Sequence, residues 1–232
     1  MSPVLIFVLI AAVIIAVAIY GNIQAKKRRE ALVAWATAHG LTFSVDNEYG
    51  VDIQFPDFDC LSQGSDRYAY NIMRGALQGR ETQAFDYHYE TYSTDSKGRR
   101  ETHHHRLSAV IVSSSVLLQP LFIRPEGFLD RVGEFFGFED INFESAEFSR
   151  RFYVKAPDRK WAYDVIHART MEFLLAVPPM TLKFGPHHVI AYTGSTFDAA
   201  GFQQAFDVAA GILDRLPEYV IQQQGGARGG KG

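Results

Sequence analysis

The sequence predicts an α+β protein: one N-terminal transmembrane helix, then antiparallel β-hairpins in a meander, packed against two to three helices. Three observations carry this. Val4–Tyr20 reads VLIFVLIAAVIIAVAIY, and no charged side chain precedes Lys26. Between residues 67 and 113, strand-like runs are separated by short polar loops, the pattern of a meander. Beyond residue 157, two segments place apolar residues at helical spacing.

The first segment is long and greasy enough to span a bilayer. Twelve of the seventeen residues Val4–Tyr20 are Leu, Ile, Val or Phe, which favours insertion by about 4–7 kcal/mol. Extended from Pro3 to Asn22 it makes a helix of about 30 Å, the hydrocarbon thickness. Ser2 suits the cap, Pro3 the first turn and Tyr20 the interface. A cleaved signal peptide fits less well: no basic residue precedes the apolar run, the run is long for a signal core, and Ala16 and Ala18 lie inside it. Lys26, Lys27, Arg28 and Arg29 follow directly. Basic residues remain on the cytoplasmic side, so the expectation is a single-pass inner-membrane protein, N-terminus outside and C-terminal domain cytoplasmic. The same four residues form a membrane-surface cluster suited to anionic lipid headgroups, at about 1 kcal/mol each. The expected partner is therefore the bilayer; no protein partner is legible.

The expected organisation is a transmembrane anchor over 1–25, a basic juxtamembrane helix over 26–40, a soluble α+β domain over 41–221 and a disordered glycine-rich tail over 222–232. The soluble domain divides into 41–125 and 126–221. Residues 29–40 carry helix formers and end at Gly40; this helix continues the membrane helix or follows it after a bend. Residues 41–45 alternate as a strand. Residues 46–66 hold Pro56, two glycines and six acidic residues and read as loop, anchored by Phe55 and Phe58. Residues 67–77 read as a strand ended by Gln78-Gly79. Residues 80–92 place Phe85, Tyr87 and Tyr89 on one face and Ala84, Asp86, His88 and Glu90 on the other. A polar loop over 94–100 leads to a return strand over 101–113, and 120–124 is extended. Residues 127–136 read as a short amphipathic helix, 148–155 as a strand, 158–176 as a helix stopped by Pro178-Pro179, 180–193 as a hairpin around Gly185-Pro186, and 198–216 as the last helix.

Charge and cysteine content narrow the function classes. The segment ahead of Glu30 carries four basic residues and no acidic one, leaving 19 Lys and Arg against 26 Asp and Glu in the rest. An acidic body argues against nucleic acid as a partner. Cys60 is the one cysteine; it makes no intrachain disulfide, and its neighbours Asp57 and Asp59 oppose a thiolate, so it reads as a small packed residue.

Residues 143–175, FESAEFSRRFYVKAPDRKWAYDVIHARTMEFLL, resemble an uncharacterised family of bacterial membrane-associated proteins whose domain has no known function. Glu144, Ser145, Glu147, Phe148, Phe152, Val154, Asp158, Ala162, Ile166 and Met171 carry the resemblance. Arg124–Gly127 and Phe85-Asp86-Tyr87 are similar as well. His167 departs from it, standing where relatives interrupt the helix. The resemblance implies a similar fold and a membrane setting, and no activity.

Histidines are the most chemical feature. With a turn centred near Ser96-Lys97, His88 pairs with His105 and Glu90 with His103, so all four share one strand face. Three imidazoles and a carboxylate suit zinc or a similar metal; a solvated polar face near a hairpin tip is the reading the sequence favours. His187-His188 point to opposite faces, Ser113–Ser115 lack the glycines of a nucleophile elbow, and no phosphate-binding loop occurs. The sequence therefore favours a membrane-tethered, non-enzymatic binding or scaffold domain with no cofactor. Its alternative is a metal-dependent hydrolase built on His88, Glu90, His103 and His105.

Overall fold

The computed structural model describes residues 3–127 and 140–226. Its first element is one unbroken helix, α1, Pro3–Ala38, about 54 Å long. That exceeds the hydrocarbon core by several turns. Its apolar N-terminal stretch is long enough to cross a membrane, and none of the other described residues covers it. Lys26, Lys27, Arg28 and Arg29 lie in the same helix, with no break in it. Further on, Leu32 and Ala36 are buried and Trp35 half-buried, a helical stripe that docks the end of α1 on the domain.

The domain is built on one eight-stranded sheet: β1 Thr42–Ser44, β2 Ser65–Leu77, β3 Arg80–Thr94, β4 Arg100–Ser113, β5 Leu121–Pro125, β6 Phe152–Lys155, β7 Thr181–Phe184 and β8 His188–Thr193. The strand order is β1-β2-β3-β4-β8-β7-β5-β6, antiparallel throughout. Because β8 pairs with β4, strands from 41–125 and 126–221 share this sheet rather than forming two units.

Both faces are covered. On one, Met73, Ala84, Val110 and Val112 belong to a core with Leu32 of α1 and Phe202 and Phe206 of α6, Ala199–Leu213. On the other, Phe85, Tyr87, Ile111 and Tyr192 pack with Val51, Phe55, Phe58 and Leu61. The segment 46–64 is thus a cover, with a short helix α2, Val51–Gln54, and a 3-10 turn at Asp59–Leu61. Phe55 and Phe58 anchor it as expected, and Tyr87 Oη donates to the Leu61 carbonyl at 2.6 Å.

Three local expectations need correction. The strand expected from residue 148 starts at Phe152, because Ser145 caps a helix α3, Ala146–Arg151, accepting from Phe148 N. Glu147 in its first turn and Arg150 and Arg151 in its last match the helix dipole. The helix expected over 158–176 is two, α4 Arg159–Val165 and α5 Ala168–Ala176. Asp158 caps α4, whereas His167 adopts an extended backbone and its Nε2 donates to Arg215 O at 2.9 Å. Finally, α7, Glu218–Gly226, carries helix into the tail expected to be disordered from residue 222. The helix expected over 127–136 lies, apart from Gly127, outside the described residues.

Candidate functional site

Between the end of α1 and the sheet lies a buried polar knot around Asp86. β3 alternates, so Asp86 lies on the α1 side with Ala84 and His88, away from Phe85 and Tyr87. It is fully buried. Arg28 grips it with both terminal nitrogens, Nη1 to Oδ2 at 2.7 Å and Nη2 to Oδ1 at 2.8 Å. Arg28 Nε donates to Phe197 O at 2.7 Å. Asn71 Nδ2 donates to Oδ2 at 2.8 Å and Ser108 Oγ to Oδ1. Ser108 Oγ in turn accepts from Phe197 N at 2.8 Å. The knot ties α1, β2, β3, β4 and the start of α6 together, with each carboxylate oxygen satisfied by two donors.

Arg28 therefore leaves the membrane-surface cluster: it is an internal anchor, and its side chain is 25% exposed. Lys26, Lys27 and Arg29 remain exposed, Lys26 lying 3.9 Å from Glu30. Burial opposes the Arg28 charge, but Asp86's hydrogen bonds and charge outweigh it and raise its pKa. Burial first, then the Asp86 charge, pushes the Tyr70 hydroxyl up to about 12. One signal was available in the sequence: Arg28, Leu32, Trp35 and Ala36 fall on one helical stripe.

The same contacts orient the β3–β4 hairpin. Arg28 and Trp35 of α1 meet Phe197 and Gln203, so α1 and α6 run the same way. Asp86 lies by the start of α6, and Arg80 pairs with Asp214 at its end, so β3 runs the opposite way. The hairpin tip points toward the apolar N-terminal end of α1.

On that hairpin the register differs from expectation. Tyr89 pairs with His105, Glu90 with His104 and Thr91 with His103. The loop holds five residues, 95–99, because Asp95 accepts from Lys97 N and Arg99 N. This moves its centre by half a residue and the pairing by one. His103 and His105 consequently leave the expected site. His105 stacks on Tyr89 and meets Thr91 Oγ1 at 2.7 Å, while His103 meets Ser93 Oγ at 2.7 Å. His104 replaces them beside His88 and Glu90.

No family model and no curated protein matches the chain. The crystal structure of the mycobacterial trehalose monomycolate transport factor A, TtfA, aligns with a TM-score of 0.60 at 12% identity, over 81% of this chain and 93% of that one. The chain is similar to TtfA in fold. The likeness covers nearly all of the TtfA chain, so the shared element is the architecture as a whole rather than one hairpin.

Proposed function

We propose that the chain is a membrane-tethered, non-enzymatic binding or scaffold domain on the cytoplasmic face that serves the movement of an envelope lipid. The Arg28–Asp86 knot carries this reading. It joins the membrane helix to the sheet through a buried bidentate pair, so the domain is carried at the membrane by a continuous helix instead of a linker. Such tethering raises its effective concentration for membrane partners. The fold likeness to a trehalose monomycolate transport factor supports a place in lipid transport. Exposed Lys26, Lys27 and Arg29 suit anionic headgroups and a cytoplasmic domain. The resemblance of residues 143–175 to a bacterial membrane-associated family belongs to the same proposal.

Depletion of the protein in its native host, followed by pulse-labelling of lipids, tests the role. The expected result is accumulation of one lipid class in the inner membrane with normal synthesis. An unchanged distribution refutes it. Protease added to right-side-out vesicles tests the topology: the domain survives until the membrane is permeabilised.

A further inference from the structure

We infer that His88, Glu90 and His104 form a binding site for a zinc-class divalent cation, a property separate from the scaffold role. Cross-strand pairing sets Glu90 opposite His104, and His88 is two residues before Glu90 on the same face. His88 Nε2 lies 3.2 Å from His104 Nδ1, and His104 Nδ1 lies 3.1 Å from Glu90 Oε1. All three ligand atoms fall within 4.8 Å of one another. Donors about 2.0–2.1 Å from a tetrahedral zinc stand about 3.3 Å apart, so two of the three separations already fit.

Proton accounting makes the same point. His88 Nδ1 lies 3.2 Å from the Asp66 carbonyl. A carbonyl only accepts, so Nδ1 carries the proton, and Nε2 of the neutral ring is a bare lone pair. That lone pair faces His104 Nδ1, which also faces the Glu90 carboxylate. One proton on His104 thus serves two acceptors, a place where a divalent cation binds all three lone pairs at once.

The outer contacts are those of a ligand set. The Asp66 carbonyl fixes the His88 tautomer, the Tyr68 ring stacks on His88 at 4.7 Å, and Tyr92 Oη donates to Glu90 Oε2 at 3.0 Å, while Oε1 is turned toward His104. A β-bulge builds part of this. The β2 register shifts between Ser65 and Tyr68, with Asp66 at φ +50°, which turns its carbonyl toward His88. His88 is buried, whereas the His104 side chain is 60% exposed, so one side is open for a water or a partner's ligand. Two imidazoles and one carboxylate favour zinc and its neighbours over magnesium or calcium, which take oxygen sets.

The full-length chain, purified in detergent with no affinity tag, is titrated with Zn²⁺ against a chromophoric chelator, and with Co²⁺ by visible absorption. We expect one equivalent bound and a four-coordinate cobalt spectrum. His104→Ala, at an exposed position, weakens binding about tenfold or more and abolishes the spectrum, as does Glu90→Gln. The His103→Ala/His105→Ala double variant, altered only on the opposite face, keeps wild-type affinity. Absence of stoichiometric binding overturns the site. So does an equal loss in the double variant, which marks nonspecific capture by adjacent histidines.

Discussion

Removing Arg28 alone is the sharpest test of how the domain is held. Arg28→Met keeps much of the side chain's length and apolar packing but leaves the fully buried Asp86 carboxylate with only Asn71 and Ser108. Breaking a buried pair by removing one partner costs about 3–5 kcal/mol. The bond from Arg28 Nε to the Phe197 carbonyl is lost as well. Urea unfolding of the full chain in detergent micelles at pH 7, followed by fluorescence of Trp35 and Trp161, measures the loss. A loss under about 1 kcal/mol refutes the description of the knot as a desolvated ion pair.

Three other outcomes are expected. Gly64→Ala destabilises by about 1–3 kcal/mol in thermal denaturation, because φ is +57° and a Cβ there meets the Glu90 carbonyl oxygen; an unchanged melting temperature argues against that close approach. Cys60 is fully buried, so a maleimide leaves the native protein unmodified and labels it stoichiometrically in denaturant, as mass spectrometry reads. Burial, then the charge of His187, lowers the His188 pKa below its usual 6.5. The unfolded chain therefore binds more protons just below pH 6.5, and stability present above that pH is lost as pH falls through the lowered value. His188→Gln flattens this acid slope in urea titrations, and an unaltered slope places the acid sensitivity elsewhere.

What could be read in advance divides along local and non-local lines. Residues 80–92 alternate so cleanly that both faces of β3 follow from the sequence, including Asp86 and His88 on the side opposite the aromatics. Asp158 and Asp198 sit where caps belong, and both cap helices. The failures come from bonds between distant residues or from turn chemistry. Nothing near Arg28 announces Asp86, 58 residues away, although the stripe with Leu32 marked that face as buried. His103 and His105 were displaced from the expected site, and His104 brought into it, by a single-residue slip that depends on one Asp95 side chain fixing a five-residue loop. The bulges on β2 were equally silent. Yet each supplies a partner: Asp66 O for His88, and Asn71, at φ +50°, for Asp86.

The unbroken α1 sets a standoff height. From Asn22, the last residue needed to cross the hydrocarbon, to Arg28 the helix rises about 9 Å. A headgroup layer is about 5–8 Å deep per leaflet. Arg28 thus stands about one headgroup depth along the helix from the end of its apolar stretch. A body mounted this way is carried by the helix itself rather than on a flexible tether. Whatever it meets must present its contact surface within a nanometre or so of the lipid phosphates.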